Sequence, residues 1–495
     1  MPSSPTACSL SRLDFTAHRT RSAGLRSSPA RESALFFLNS AELAAYRTKK
    51  LRDKQLNASK RYHAYDDWGG DTKSRQNGDV AGVEATHALI DWPLHSAFLS
   101  PAYLTFAVMA LLNVVCIGTG LAGTSAIEAL ANSLPSSHRI VAVAPVPGYW
   151  PIAALRAAVV PGWEDKPIAR LTNIFPKGSR HVILEGTSVV ELRKNSVVVD
   201  KAHPELGFDG TEIEFDKCII ATGSSYPFPC RPLAGSSASD LVDQLRSVQA
   251  QVASSSSILV IGGGPVGIEV AGEVAEYYNG KNGREKKTVT LVHAGERFIA
   301  EEGFKPKLGK NLKSQLEALG VKVVMGKRVD AQGLPTGAVE GGAREFKLDD
   351  GETVTADFIF LAFGNTPNTS LLSAFDPSTL DASHRVKVQP SLQLTGYDNL
   401  FAIGDITDIP ESKLFAHAQN HGPVVAKNIV ALIKTGHQDP AGLKSYKAGG
   451  RMIAVSVGFN GGAGQMFGWS LGPWMVAFVK SKTLFVDNFK KLYHV

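Results

Sequence analysis

The sequence predicts an α/β protein built on parallel sheets, and three observations predict it. An apolar run, Val114-Val115-Cys116-Ile117, leads straight into Gly118, Gly120 and Gly123 and a helix of small residues. The arrangement returns at Ile258-Leu259-Val260-Ile261 with Gly262, Gly264 and Gly267. Further apolar strands end at glycine, in Ala221-Thr222-Gly223 and again at Gly364. In such a strand–turn–helix unit the first glycine permits the tight turn, and the second lets backbone N–H groups approach a pyrophosphate. The third lets helix and strand pack closely. Two Rossmann-like dinucleotide-binding domains in one chain imply two dinucleotides. A flavin enzyme reduced by a nicotinamide is the simplest machine that needs both.

A chain of 495 residues has room for about three domains, because single cores stop growing beyond ~250–300 residues. With 44% hydrophobic and 20% charged residues it reads as an ordinary globular protein. The net charge of +6 belongs to the ends: residues 1–61 carry 12 Lys/Arg against 4 Asp/Glu, and residues 431–495 carry 8 against 2. The middle is slightly acidic, so no nucleic acid is expected as partner. Four cysteines, Cys8, Cys116, Cys218 and Cys230, are too scattered for a disulfide framework, a metal site or a redox dithiol. No metal is expected.

Residues 1–110 form a low-complexity basic arm, expected to be disordered or a targeting segment. Arginines spread through Ser-rich sequence suit a mitochondrial address, with an unaddressed tail as the alternative. Pro2 does not offer an acylation signal. Trp92 to Leu112 lacks charge, but Pro93 and Pro101 argue for a lead-in rather than a membrane span. The chemistry is expected to start near Met109.

Residues 111–235 are expected as the first part of a FAD-binding domain. Its second strand ends at Ala144, where an acid usually holds the adenosine ribose. Arg156, on the following helix, is a candidate to reach cofactor phosphate or flavin; the alternative is a solvated helix arginine. Residues 179–216 read as a strand meander. Ala221, Thr222 and Gly223 then place small residues beside the cofactor at a crossover.

Residues 236–355 are expected as an inserted NAD(P)-binding domain. Its second strand ends at His293 rather than an acid, which with Arg297 leaves NADH or NADPH open. Glu269 and Glu273 share a helix face, and Glu269 is the candidate to orient nicotinamide, against a pair of solvated carboxylates. Residues 356–433 are read as the return to the FAD domain, with Gly364 mirroring the first crossover. Gly404 and Asp405 end a strand, Asp405 being a candidate to hold a ribityl hydroxyl. Residues 434–495 are expected as a separate C-terminal segment, whose flavin, acceptor and membrane-facing roles are implied by the family resemblance that follows.

The order of these motifs resembles the pyridine nucleotide flavin oxidoreductases with two dinucleotide folds. Within them the chain is similar to the apoptosis-inducing-factor-like branch of ferroptosis-suppressor type. Residues 149–160 (YWPIAALRAAVV), 221–229 (ATGSSYPFP), Leu291-Val292-His293 and the tail at 455–485 carry the likeness. It implies a membrane-associated, FAD-dependent NAD(P)H oxidoreductase with a quinone-like acceptor. By that likeness Glu269 and Lys480 form a catalytic pair beside the flavin, and Phe485 lines the quinone entrance. A cation near the flavin N1/O2 edge suits a reduced, anionic ring.

Trp469, Trp474, Phe478, Phe485 and Phe489, interleaved with lysines, would suit peripheral membrane contact; packing in a core or a homodimer is the alternative. The expected compartment is the cytoplasm, with or without attachment to a membrane, and the mitochondrion is the alternative. Two other functions stay open: a reductase of a small redox protein, and an NAD(P)H-responsive flavin-binding regulator.

Overall fold

A computed structural model describes residues 111–280, 284–331, 333–436 and 442–495. The basic arm, Cys8 and most of the uncharged stretch before Leu112 lie outside the described residues.

The chain enters on β1 (Leu112–Ile117), turns at Gly118 into α1 (Leu121–Ala131) and returns on β2 (His138–Ala144). It continues through α2 (Pro151–Ala157) to β3 (Val182–Glu185). Residues read together as a meander divide here. β3 pairs parallel to β2, Val141 opposite Val182, while Val189–Leu192, Ser196–Val199 and Glu212–Glu214 form a separate antiparallel sheet. The edge flank of β2 needs a strand to satisfy its backbone groups, and β3 supplies one. β4 (Lys217–Ile220) then lies against the other side of β1, Val115 opposite Cys218. The inner residues of β1 are fully buried between these neighbours, which explains its unbroken apolar run.

The second unit begins with α3 (Ala238–Ser254), started by a capping box of Ser237 and Asp240. β5 (Ser257–Ile261), α4 (Pro265–Asn279), β6 (Thr288–His293), α5 (Pro306–Ala318), β7 (Val321–Met325), the short β8 (Gly337–Ala338) and β9 (Phe358–Leu361) follow. The sheet order is β7-β6-β5-β9-β8, parallel but for β8. One expected boundary is corrected here. Residues after 356 do not return at once to the first unit, because β9 pairs with β5, Ile258 opposite Phe358. Its backbone covers the flank of β5 opposite β6, and its phenylalanines, Phe358 and Phe360, are fully buried on one face of the sheet.

β10 (Leu400–Ala402) completes the first sheet in the order β10-β4-β1-β2-β3, all parallel. The long α6 (Phe415–Thr435) packs on α1 so closely that a Cβ at Gly422 would lie 2.5 Å from the Ala126 nitrogen. The chain ends in an antiparallel sheet of β11 (Met452–Val457), β12 (Gly461–Met466) and β13 (Trp469–Leu471). After it come α7 (Pro473–Val476), a π-helical turn at Ala477–Ser481 and α8 (Val486–Leu492). This segment lies on α4, where a Cβ at Gly272 would meet Val457 at 2.9 Å.

Candidate functional site

The first cradle gathers at the C-terminal ends of β1, β4 and β10. Gly118 has φ +99°, and a Cβ there would stand 2.5 Å from the Ala221 carbonyl oxygen. A Cβ on Gly123 would come within 2.0 Å of the Gly118 carbonyl, whereas Gly120 has nothing within 4 Å. Gly120 caps α1 without a side-chain hydrogen bond, so the first amides of the helix face an open space. Gly404, at φ +80°, closes the cradle from β10; its N–H donates to His421 Nδ1 at 2.9 Å. Asp405 Oδ2 accepts from Ser224 Oγ at 2.8 Å and Arg231 at 3.1 Å. The carboxylate expected to need a polyol partner therefore already has two protein donors on one oxygen. Thr222 and Gly223 face a different neighbour: Thr222 Oγ1 donates to the Asn368 carbonyl at 2.7 Å, and Ser224–Ser225 pairs with Thr366–Pro367. With Gly364 at φ +88°, these residues form a double link between the two units.

The second cradle repeats the first. Gly262 has φ +112° and would meet the Ala362 carbonyl at 2.5 Å; Gly267 would meet the Gly262 carbonyl at 1.8 Å; Gly264 is open. His293, expected with Arg297 to leave room for a 2′-phosphate, is engaged on both ring nitrogens. Its Nδ1 accepts from the Gly263 N–H at 3.2 Å, so Nε2 carries the proton toward the Arg297 carbonyl, also at 3.2 Å. Burial pushes its pKa down, the Arg297 carbonyl working against that. A neutral ring with both nitrogens engaged offers no charge to a 2′-phosphate; the exposed Arg297 remains for that contact.

Glu269 and Glu273 on α4 are 3% and 2% exposed, which removes the solvated alternative. Glu269 Oε1 accepts from Lys480 Nζ at 2.5 Å and from the N–H and Oγ of Ser456, both at 3.1 Å. Lys480 also donates to the Ala454 carbonyl at 2.7 Å. It sits on the π-helical turn, an element that concentrates at functional positions.

Arg156 requires a correction. It touches no open cleft: it is fully buried, and it grips Glu273 through Nε at 2.8 Å and Nη2 at 2.7 Å. Burial raises the Glu273 pKa, and the guanidinium pulls it back. Phe485 is half-buried at φ +56°, its ring 5.3 Å from that of Phe415. Leu484 is also left-handed, at φ +48°, and the strained pair is held by Trp150 Nε1 donating to the Leu484 carbonyl at 2.6 Å. Phe489 is 2% exposed and stacks on Trp150 at 5.7 Å, so it leaves the set of outward aromatics.

Sequence reasoning missed Arg231, His421 and Tyr493. The Tyr493 hydroxyl donates to the Thr119 carbonyl, inside the first glycine turn, at 2.7 Å. Only the helical spacing of His417 and His421 hinted at a polar core. There Glu411 accepts from His421 at 2.9 Å, Tyr446 at 2.8 Å and the Gly449 N–H at 2.8 Å. Burial pushes the Glu411 carboxyl up, but these bonds outweigh it and bring its pKa to about 2.

Two glycine cradles, each with an uncapped helix N-terminus open to a diphosphate, fit two dinucleotides and define a flavin- and nicotinamide-dependent oxidoreductase. The comparisons with known proteins agree. Residues 112–422 match the family model described as pyridine nucleotide-disulphide oxidoreductase, and the chain belongs to that family. It is 30% identical over 378 residues to ferroptosis suppressor protein 1 of Taeniopygia guttata, covering 76% of this chain and 94% of that one. Apoptosis-inducing factor homolog A of Dictyostelium discoideum is 28% identical over 391 residues, covering 76% and 91%. Among solved structures, a NAD-dependent persulfide reductase from A. fulgidus superposes with a TM-score of 0.55 at 18% identity, over 71% of this chain and 63% of that chain.

The protein is an FAD-dependent NAD(P)H oxidoreductase. The family name's disulphide has no counterpart among the described residues. Cys116 and Cys218 occupy opposite faces of one sheet, and burial pushes the Cys116 and Cys230 thiols up to about 12.

Proposed function

We propose that the protein passes electrons from NAD(P)H through FAD to a quinone-like acceptor at a membrane surface. In this reading Gly118, Gly120, Gly123, Ala221, Gly404 and Asp405 hold FAD, with Thr222 and Gly223 at the crossover. Gly262, Gly264, Gly267, His293 and Gly364 border the nicotinamide dinucleotide. FAD supplies the hydride acceptor and the one- or two-electron outlet that no side chain here could supply. Glu269 orients the nicotinamide end. Lys480 sets a positive charge where the flavin ring gains electrons, and Phe485 borders the acceptor's way in.

The observation that carries this reading is the position of the Glu269–Lys480 pair. The pair is buried between the helix of the second cradle and the π-helical turn. Two residues before Lys480 on that turn, Phe478 is 78% exposed, and Trp474, Trp469 and Phe467 are 74%, 79% and 52% exposed. Large aromatics stay in water only at a cost, so this rim is suited to lipid headgroups and the acyl boundary. No described helix is long and apolar enough to cross a membrane, so contact by the rim would be peripheral. A homodimer would cover the same rim.

The test is anaerobic stopped-flow. NADPH or NADH bleaches the flavin, and a short-chain quinone then restores its colour, with and without phosphatidylserine vesicles. The expected outcome is reoxidation by quinone well ahead of a small redox protein, accelerated by vesicles. Trp474→Ser with Phe478→Ser should abolish the vesicle effect alone. Reoxidation by quinone no faster than by oxygen would remove the acceptor from the reading. A vesicle effect that survives the double substitution would remove the membrane rim.

A further inference from the structure

Arg156 draws three separate parts of the chain onto one guanidinium. It stands on α2 of the first unit, grips Glu273 on α4 of the second, and reaches carbonyls of the C-terminal segment. Those are Ser481 at 2.7 Å, Lys482 at 3.3 Å and Gly458 at 3.4 Å. The Phe459 ring lies 3.6 Å from the guanidinium carbon and the Trp163 ring 4.6 Å. A fully buried ion pair of this kind is weak evidence for stability, because desolvating both charges offsets most of their attraction. What such a pair does supply is a defined arrangement, and here that arrangement has a neighbour. Ser481 follows Lys480 directly.

We propose that Arg156, together with Glu273, is a positioning residue that fixes the π-helical turn so that Lys480 meets Glu269. The inference rests on the reading of Lys480 as the charge beside the flavin. In the π turn the Lys482 N–H reaches back to the Ala477 carbonyl at 3.2 Å, one residue further than an α-helix allows. The widened turn presents the Ser481 carbonyl to Arg156, while the Ser481 hydroxyl donates to the Gly461 carbonyl at 2.7 Å. Ser481 is thus held from both sides, and the Cα of Lys480 has little freedom.

Charge pairing acts in the same direction. Glu269 and Glu273 are one helical turn apart, so two buried carboxylates face two cations, and each takes one. Removing the guanidinium alone would leave Glu273 without its cation. Lys480 would then be drawn between the two carboxylates. Arg156 therefore determines which carboxylate Lys480 serves. A lysine at 156 would keep the charge but lose the fork that reaches Glu273 and Ser481 together.

The experiment uses the FAD-loaded protein and reads the flavin midpoint potential, the rate of bleaching by NADPH and the thermal midpoint. Lys480→Met is the reference. Arg156→Met with Glu273→Met removes both charges of the pair and keeps apolar volume. The double variant should shift the potential in the direction of Lys480→Met, and bleaching should slow roughly ten-fold or more with KM little changed. Arg156→Lys, which preserves the charge and stands in if the double variant does not fold, should shift the potential part of the way.

If Lys480→Met shifts the potential while both Arg156 variants leave it at the parent value, the positioning role is overturned and the pair only holds the fold. If Lys480→Met leaves the potential unmoved, the placement of Lys480 beside the flavin fails, and this inference fails with it.

Discussion

The two glycine cradles are close copies in backbone and differ in what stands behind them. In each, the first glycine is left-handed and lies under the carbonyl of an alanine, Ala221 or Ala362, and the third is pressed on the carbonyl of the first. The residue after the first glycine separates them. In the first cradle it is Thr119, whose carbonyl is held by Tyr493 from the far end of the chain. In the second it is Gly263, backed by the neutral ring of His293 from the adjacent strand. The first turn is thus braced by the whole fold and the second by its own unit. That difference suits a cofactor kept through every turnover and a cofactor that must leave after each one. The C-terminal segment contacts both, through Tyr493 on one side and Lys480 on the other.

The sharpest way to break this comparison is to overfill each cradle in turn. Gly123→Ala would bring a methyl to 2.0 Å from a carbonyl oxygen and Gly267→Ala to 1.8 Å, contacts that no flexible side chain can relieve. The cost is about 3 kcal/mol or more at each, at or beyond the upper end of overpacking. Gly123→Ala should yield colourless protein. Gly267→Ala should remain yellow, bind NADPH roughly 100-fold more weakly or worse, and bleach slowly. Loss of colour in both, read by absorbance after gel filtration, would mean that the cradles are not independent.

A second asymmetry lies in acid. Gly404 of the first cradle, proposed to hold flavin, hangs on His421, whose other nitrogen donates to Glu411. The Glu411 pKa is lowered from 4.5 to about 2, so its contribution is complete above the upper value and lost as pH falls through the lower. Flavin release should therefore rise as the solution is taken from about pH 5 towards 2. Glu411→Gln faces three donors with an amide and should cost about 2–3 kcal/mol at neutral pH while flattening that acid limb. Flavin fluorescence against pH measures both. An unchanged acid limb in Glu411→Gln would separate this cluster from flavin retention.

How much of this was legible in the sequence depended on how far apart the interacting residues lie. The glycines could be read because the left-handed turns at Gly118 and Gly262 and the close packing at Gly123 and Gly267 exclude other side chains, and β1, β5 and β6 because a strand buried on both faces has to be apolar. Arg156 could not be assigned, since its carboxylate, Glu273, lies 117 residues away and either partner alone looks like a helix surface charge. The state of the His293 ring could not be read either, because its tautomer is set by a backbone N–H that no residue type announces. Trp474 and Phe489 have the same composition signal, yet one is 74% exposed and the other 2%. Their difference arises only when α8 finds Trp150 to pack on. β9 was given to the wrong unit because an apolar strand ending in glycine fits either sheet equally well.

The smallest expected effect bears most directly on the asymmetry itself. Tyr493→Phe removes one hydroxyl and leaves the ring, which fills the space beside Gly148 where a Cβ would lie 2.5 Å from it. The Thr119 carbonyl keeps its bond from Thr124 Oγ1 at 2.8 Å, so no acceptor is orphaned. The loss should be about 1 kcal/mol, one buried neutral hydrogen bond, or a roughly five-fold faster release of FAD with NADPH affinity unchanged. Release can be followed by trapping free flavin with an apoflavoprotein. If FAD release is unaffected while NADPH binding weakens, the chain terminus braces the mobile side rather than the retained one. The two cradles would then have exchanged their roles.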